Sequence, residues 1–413
     1  MRILILGINF HPELIGIGKY TGELAADLIK CGHQVHVITA PPYYPYWLVQ
    51  PGYKGWQYRQ ENWQGILVQR CPIWVPRKPS GSKRIIHLLS FAISSFPILF
   101  LQCFWKPDLL LCIAPSILNA PLALFTARLS GAKAWIHIQD FELDAAFQLE
   151  ILLGGKWLQG LMARLEQRLL NGFDMVSSIS PRMVARLHAK GVNEDKTCLF
   201  PNWADISFIR PMPKNNKYRQ NLNISPEQVV FMYSGNLGQK QGLELVIEAA
   251  DLARADPCIQ FVICGEGNSR EQLIHLAEEK NLQNIHFLPV QPLESLPELL
   301  ASADVHLVLE KQAAADLVMP SKLTNILAAG RPSITTAIDG TALYDVIITN
   351  NLGLVSPPNN IEAFVKTVKY LAENETARAT FGSAARSYAE KILSKELILS
   401  EFEDRMSSLV SIT

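Results

Sequence analysis

Short apolar runs, each followed by a glycine-containing turn and a segment of helical length, recur along both halves of the chain. In the first half the runs at residues 3–6 and 35–39 bracket such a turn and helix. In the second half the runs at residues 229–234 and 259–264 repeat that order. Alternation of this kind is typical of parallel sheets covered by helices on both faces. The sequence therefore predicts an α/β protein with two doubly wound, Rossmann-like domains facing a cleft.

Composition excludes several classes of protein. A chain of 413 residues is long enough for two domains of ordinary size. Lys+Arg 38 equals Asp+Glu 38, and this balance weighs against a general nucleic-acid binder. Seven scattered cysteines, with no Cys-x-x-Cys pair and no histidine cluster, argue against disulfides and structural zinc. The apolar start at 1–10 has no small-residue cleavage site close behind it, so we expect a buried strand and a cytoplasmic protein.

Residues 316–332 are predicted to be a loop that turns into a short helix. Pro320 suits a first helical position because it has no N–H to leave unsatisfied, and Gly330 is placed to end the helix in a left-handed conformation. The free N–H groups and positive dipole end of a helix start bind phosphate. Lys322 would add a charge there and Ser321 a hydroxyl. The alternative is a plain packed helix with a solvated lysine.

Two glycine-rich turns and one carboxylate also follow predicted strands. The turn at 235–242 would hold a diphosphate from the side opposite to Lys322, through glycine N–H groups and one lysine: Gly235, Gly238 and Lys240. Fixed donors of this kind offset leaving-group charge without a metal. The first turn of the chain is a candidate phosphate loop, although its spacing is not a dinucleotide fingerprint: Gly16, Gly18 and Lys19. Asp140 ends a predicted strand and is a candidate for acceptor contact or catalysis.

Taken in order, these strings resemble the retaining glycosyltransferases of family 4, which have the GT-B fold, and in particular the exopolysaccharide branch with its colanic-acid fucosyltransferase-like enzymes. The Pro-Asn string at 201–205 and the Gly-Glu-Gly turn at 265–267 add to the resemblance, which covers nearly the whole chain. The resemblance implies retaining transfer from a sugar nucleotide with no metal or other cofactor. It assigns catalytic roles to Asp140, Lys240 and Lys322. It assigns donor binding to a further set: Gly235, Asn236, Gly238, Gln241, Glu266, Pro320, Ser321 and Asn325.

Several positions depart from the family pattern. Gln139 stands where the family usually has histidine, which puts a base role for residue 139 in doubt. In the second half Asn236 replaces an arginine, Gln241 replaces a lysine, and the two donor-helix glutamates are replaced by Leu317 and Asn325. Leu317 cannot contact a sugar hydroxyl. Either Asp316 or Glu310 is a candidate for that contact, and each is equally a candidate for a solvated loop charge. We interpret the departures as divergence rather than loss of activity.

The segment that begins at Arg77 and ends at Phe104 places basic residues before a long apolar run. Attachment to an anionic membrane surface, a transmembrane span and a buried domain helix are the alternatives, and surface attachment on the inner face of the plasma membrane is our prediction. Residues 41–63 are predicted to be a long loop. Its aromatic side chains would stack on a sugar, enter lipid headgroups or form a local core.

The predicted domains are an acceptor-side domain at 1–205, a linker at 206–217 and a nucleotide-sugar domain at 218–384. The last helix, about 385–413, is assigned to either domain. The predicted function is transfer of a hexosyl, possibly a fucosyl, group from a GDP- or UDP-sugar to a lipid-linked saccharide. The alternatives are a nucleotide-sugar epimerase on the same fold and a catalytically silent sugar-nucleotide-binding subunit.

Overall fold

The chain forms two compact units in the computed structural model, the first made of residues 1–201 and 399–413 and the second of residues 202–398. The structure describes residues 1–13, 16–77, 80–114, 117–141, 156–311 and 320–411, with the side chains of 156–159 left out. The predicted linker at 206–217 lies within the second unit, and the chain returns to the first unit at residue 399.

An eight-stranded sheet forms the centre of the first unit, in the order β3-β4-β2-β1-β5-β6-β7-β8. Its elements are β1 (Arg2–Gly7), α1 (Ile17–Lys30), β2 (Gln34–Thr39), β3 (Arg59–Trp63), β4 (Ile66–Arg70), α2 (Gly81–Trp105), β5 (Leu109–Ala114), α3 (Ala120–Ser130), β6 (Lys133–Ile138), α4 (Lys156–Asn171), β7 (Met175–Ser178), α5 (Pro181–Ala189) and β8 (Thr197–Leu199). β1 pairs in parallel with both β2 and β5, and its side chains from Ile3 onward are buried. The strand order reverses at β1 and β5, so a ligand crevice is expected outside their carboxyl ends.

β3 and β4 form an antiparallel hairpin. β3 lies within the segment 41–63 that the sequence predicted to be a loop, and β4 follows that segment. Gln64 and Gly65 connect the two strands with φ angles of 52° and 85°, the left-handed pair that a two-residue hairpin requires. β3 is an edge strand with mostly polar, partly exposed side chains, so it lacks the apolar alternation that marks a buried strand. The loop prediction is therefore wrong for residues 59–63.

A six-stranded, wholly parallel sheet forms the second unit, in the order β11-β10-β9-β12-β13-β14. Its elements are α6 (Lys217–Asn221), β9 (Val229–Ser234), α7 (Glu244–Leu252), β10 (Ile259–Cys264), α8 (Arg270–Glu279), β11 (Ile285–Leu288), α9 (Leu296–Ser302), β12 (Val305–Val308), α10 (Ser321–Ala328), β13 (Ser333–Thr336), α11 (Ala342–Thr349), β14 (Gly353–Ser356), α12 (Ile361–Glu373), α13 (Glu375–Ile392) and α14 (Lys395–Ser411), the last of which enters the first unit. β9 and β12 are neighbours, so the strand order reverses between them and the switch point lies there.

Helix α2 presents two different faces. One face packs on the domain and buries six side chains: His87, Phe91, Ala92, Ser95, Leu99 and Gln102. The opposite face exposes a continuous apolar stripe at helical spacing: Ile86, Leu89, Ile93, Phe96, Phe100, Leu101 and Phe104. Among the described residues this is the one helix long and apolar enough to cross a membrane, and 33% of its most apolar window is buried.

Candidate active site

The glycine-rich turn after β9 sits at the switch point of the second sheet. Its backbone is fixed from the neighbouring turn, because the Leu237 N–H donates to the Glu266 carbonyl at 2.9 Å and the Ser269 N–H donates to the Leu237 carbonyl at 2.9 Å. The two turns touch closely, since a Cβ added to Gly265 would lie 1.9 Å from the Gly235 carbonyl oxygen. Within the described residues, the N–H groups of Asn236 and Gly238 donate to no partner. A rigid turn with free N–H groups is an anion-binding concavity.

The predicted donor helix is present as α10, with one correction. Pro320 is the flanking residue before the helix rather than its first residue, with extended backbone (φ −61°, ψ 118°), and Ser321 is the first helical residue. The shift follows from the ψ angle, which lies outside the helical region. Gly330 has the left-handed φ of 66° that the sequence predicts for the helix end. Leu323 and Ile326 are buried as expected, which holds the first turn against the sheet.

Lys322 points from α10 to the turn after β9. Its ammonium lies 3.8 Å from the centre of the Tyr233 ring, and a Cβ on Gly235 would lie 3.8 Å from the Lys322 Cδ. The Tyr233 hydroxyl donates to the Asn236 carbonyl at 2.8 Å. Burial lowers the pKa of Lys322 to about 7, although the neighbouring Glu310 raises it. Lys322 is half-buried and packs on an aromatic ring beside the glycine-rich turn, where an anion would restore its charge.

Three side-chain oxygens at this site are buried and accept no hydrogen bond from any described residue. They belong to Gln241 (Oε1), Glu310 (Oε2) and Asn325 (Oδ1). Burial raises the pKa of Glu310 to about 7, against the opposing effects of Lys322 and Lys240. Buried acceptors are normally paired, so these three await hydrogen-bond donors. Hydroxyl groups beside a phosphate, as on ribose or a sugar, would supply such donors.

Other predicted donor-site residues are more exposed. Lys240 is exposed and its carbonyl accepts from the Lys311 N–H at 2.9 Å, which ties the turn to the chain after β12. Glu266 lies 3.5 Å from the Nε of Arg270 in a surface ion pair. Ser321 is exposed at the start of α10. Asp316 and Leu317 lie outside the described residues.

The first unit has its own polar site after β1. Gly16 precedes α1 with a left-handed φ of 63°, and its added Cβ would lie 3.4 Å from the Tyr44 ring. Glu13, at 3% exposure, accepts from the N–H groups of Tyr43 at 2.8 Å and Tyr44 at 2.9 Å and from Asn9 Nδ2 at 2.8 Å. Glu13 was not predicted from the sequence, because a lone glutamate carries no motif.

Gly18 and Lys19, the other residues of the predicted phosphate loop, have protein neighbours of their own. A Cβ on Gly18 would lie 2.8 Å from Glu13 Oε2, so this glycine makes room for the buried carboxyl. The Lys19 ammonium lies 3.8 Å from Glu23 and 4.9 Å from the centre of the Tyr20 ring. Its charge is thus directed along α1.

Asp140 lies just beyond β6, where the first sheet's carboxyl edge places it near Tyr44. Burial raises the pKa of Tyr44, and the charges of Asp140 and Glu13 raise it further. Gln139 beside it is buried at 7% exposure. Asp140 also lines a small cavity with apolar walls and a second carboxylate: Ala114, Ile117, Ile136, Ile138, Phe141 and Glu166. Tyr44 belongs to the predicted loop at 41–63, and no local pattern marks it as a site residue.

Metal ligands are not grouped in the part of the chain that the structure describes, which holds no cluster of three or more His, Cys, Asp or Glu side chains suited to a metal ion. The polar groups at both sites are instead lysines, amides, backbone N–H groups and separated carboxyls. The chemistry that they support is recognition of phosphates and hydroxyls.

Comparison with known proteins decides the family. Residues 16–203 match the "Glycosyl transferase 4-like domain" and residues 214–388 match "Glycosyl transferases group 1". A glycosyl transferase assigned to colanic acid biosynthesis, WcaI of Escherichia coli (strain K12), is 42% identical over 97% of this chain and 98% of its own length. The chain belongs to the GT-B glycosyltransferases.

Solved structures agree with the fold. Sucrose-phosphate synthase from Thermosynechococcus elongatus has a TM-score of 0.74 at 16% identity, with both chains covered fully. HepE of Anabaena, in complex with UDP, has a TM-score of 0.71 at 17% identity over 99% of this chain and 100% of its own. The predicted GT-B architecture of this glycosyltransferase is confirmed.

Proposed function

We propose that this glycosyltransferase moves a hexosyl group, with fucosyl as the first candidate, from a GDP- or UDP-sugar to a lipid-linked saccharide in exopolysaccharide biosynthesis. The observation that carries the proposal is the convergence of Lys322 with three unpaired buried oxygens at the switch point of the second sheet. Cation and acceptors together match a diphosphate that carries hydroxyl groups. The similarity to WcaI supports a role in colanic acid or a related exopolysaccharide.

The proposed reaction proceeds with retention and without a metal. The acceptor hydroxyl attacks the anomeric carbon on the face that the nucleotide leaves, as the bond from that carbon to the phosphate oxygen breaks. The acceptor's proton passes to the departing phosphate oxygen. Lys322, Lys240 and the N–H groups of Asn236 and Gly238 offset the charge that develops there, whereas the Gly235 N–H already donates to the Cys264 carbonyl at 3.0 Å. Asp140, beside Tyr44, orients the acceptor.

We also propose that the first unit rests on the cytoplasmic surface of the membrane through α2. The exposed stripe of α2 lies opposite the face that packs on the domain, so folding does not require its apolar character. Phe125 and Leu129 of α3 are exposed beside it, and Phe96 lies 6.4 Å from Phe125 between ring centres. α2 and α3 contain no acidic residue, and exposed basic residues stand at their ends: Lys83, Arg84, Lys106 and Arg128. An apolar face with cationic flanks suits an anionic lipid surface.

The aromatic side chains of the loop before β3 fall into two groups, one packed and one exposed. Tyr43 and Trp47 pack with His87 of α2, at 4.8 Å and 5.2 Å between ring centres, and form a local core. Tyr46 and Trp56 are 72% and 74% exposed. These two remain available for a sugar or a lipid headgroup.

The decisive experiment measures nucleotide binding and then transfer. Thermal unfolding is followed with GDP, UDP, ADP and dTDP, with EDTA and with added magnesium. A ligand at about a hundred times its dissociation constant adds ~2.7 kcal/mol to the free energy of unfolding. We expect one nucleotide to stabilise the protein in EDTA, and its sugar to appear on a lipid-linked acceptor with retained configuration. Failure of every nucleotide to stabilise would refute the diphosphate site. Nucleotide binding without transfer favours the silent subunit, and donor turnover without acceptor favours the epimerase.

A further inference from the structure

Glu310 is held in place by its backbone at the carboxyl end of β12. Its N–H donates to the Thr336 hydroxyl at 2.8 Å, and that hydroxyl donates to the Glu310 carbonyl at 3.0 Å. The next residue, Lys311, donates its N–H to the carbonyl of Lys240. Glu310 is therefore fixed between β13 and the glycine-rich turn, at the place where β9 and β12 adjoin.

Among the described residues, one oxygen of the Glu310 side chain has no hydrogen-bond partner. Oε2 is buried and accepts no hydrogen bond from a described residue, and no ion pair between described residues includes Glu310 or Lys322. A buried group left in this state costs stability. The fold therefore keeps an acceptor unpaired at the edge of the sheet where ligands bind.

The opposite end of the same strand shows what a structural carboxylate looks like in this unit. Asp304, just before β12, is 5% exposed and accepts from Lys214 at 2.9 Å and from the Val230 N–H at 2.8 Å, and it pairs with Arg219. Burial acts to raise the pKa of Asp304, but these partners lower it below its ordinary value. Asp304 is satisfied by described residues, whereas Oε2 of Glu310 has no partner among them, so the contacts that the structure describes do not account for this oxygen.

The charge of Glu310 acts against a bare diphosphate. Lys322 and Lys240 are the two cations whose charges act on Glu310, and both would bind the phosphates. A carboxylate beside them repels phosphate oxygens, unless the ligand also offers donors that the carboxylate can accept. A sugar nucleotide offers the hydroxyls of the transferred sugar next to the β-phosphate, whereas the nucleoside diphosphate product keeps only its ribose hydroxyls, which lie on the α-phosphate side.

We propose that Glu310 accepts hydrogen bonds from hydroxyl groups of the transferred sugar and makes the site prefer the sugar nucleotide over the nucleoside diphosphate. This inference rests on the proposed function of the second unit as a sugar-nucleotide site. Glu310 would then have two effects of opposite sign. It would strengthen binding of the sugar nucleotide, and it would weaken binding of the nucleoside diphosphate that must leave after transfer.

The test measures, by calorimetry at pH 7.5 and without acceptor, the dissociation constants of a sugar nucleotide and of its nucleoside diphosphate for each protein. Two such ligand pairs are used: GDP-fucose with GDP, and UDP-glucose with UDP. The variants are E310A and E310Q, and E310Q preserves the size of the side chain should E310A fail to fold. E248A is the matched control, because Glu248 is an exposed carboxylate on α7. A hydrogen bond to a charged group corresponds to roughly a 10- to 100-fold change in dissociation constant.

We expect E310A to weaken sugar-nucleotide binding by about tenfold or more and to strengthen or preserve nucleoside diphosphate binding. We expect E248A to bind every ligand as the wild type does. Equal weakening of both ligands would show that Glu310 contacts the nucleotide and would overturn the inference. An unchanged ratio would also overturn it, while leaving the proposed function intact. If the wild type binds none of the four ligands, the proposed function itself fails and this inference fails with it.

Discussion

The exposed stripe of α2 makes a prediction that separates lipid binding from folding. Ile93 and Phe104 are 72% and 76% exposed and project from the face opposite the packed one. Full burial of such a side chain is worth about 1.5–3 kcal/mol, so three-quarters of that for each residue gives about 3 kcal/mol for the pair. I93S/F104S should therefore weaken partition into vesicles by roughly 100-fold.

The assay is co-sedimentation with vesicles of phosphatidylcholine and phosphatidylglycerol at low and high salt. We expect wild-type binding to fall as salt rises, because Lys83, Arg84 and Arg128 contribute through screened charges. L252S is the control, since Leu252 is 57% exposed on the second unit. Its vesicle binding should match the wild type, and all three proteins should unfold at similar temperatures.

Two results would refute the reasoning. If I93S/F104S binds vesicles as well as the wild type does, the stripe does not enter lipid. If the wild type is a dimer without vesicles and the double variant is a monomer, the stripe covers a second protein surface instead.

The remaining predictions concern the two polar sites and the turn that supports one of them. K322A should remove most of the transfer rate, because it deletes the cation beside the glycine-rich turn; turnover equal to the wild type in a radiolabelled-sugar assay contradicts the site. In the wild type, diphosphate affinity should fall as pH rises above about 7, because the Lys322 pKa of about 7 means that the free protein loses this charge there; calorimetry from pH 6 to 9 should show the slope, and K322M should keep only the shallower slope due to Glu310, whose pKa burial also raises to about 7. G265A should cost roughly 2 kcal/mol or more in unfolding free energy and abolish nucleotide binding, since its Cβ meets a backbone oxygen; G160A, with nothing within 4 Å, is the control and should cost nothing in urea unfolding. E13A should lower the free energy of unfolding by roughly 3 kcal/mol, because three buried donors lose their acceptor; an unchanged urea midpoint would show that water replaces the carboxylate.

Sequence patterns predicted the parts of this fold that depend on local periodicity. β9 and β10 begin and end where the predicted apolar runs do, because a strand buried on both faces needs a nearly uninterrupted apolar sequence. Strand β3 was not predicted because it is an edge strand that pairs with β4 alone. Its side chains are partly exposed to solvent, so they need not be apolar. Gly330 was predictable because only a residue that tolerates a positive φ ends a helix in that way.

The candidate site was predictable in outline and not in its electrostatics. The glycine turn and Lys322 carry a recognisable string, so their shared location follows once the strand order is known. The Tyr233 ring under Lys322 and the unpaired oxygen of Glu310 depend on contacts between segments far apart in the chain. No local pattern encodes such contacts. Glu13 was missed for the same reason, since its three donors come from two separate segments.

Within the first unit, the apolar helix α2 and the turn before α1 are connected through side-chain contacts. His87 on the packed face of α2 contacts the rings of Tyr43 and Trp47, and Arg84 lies 5.5 Å from the Trp47 ring centre. Glu13 then holds the backbone of Tyr43 and Tyr44 against the turn at Gly16. A saccharide tethered to a lipid must reach its transferase from the bilayer surface. An acceptor site built on the segment that packs under the apolar helix would meet such a substrate without requiring the lipid to leave the membrane.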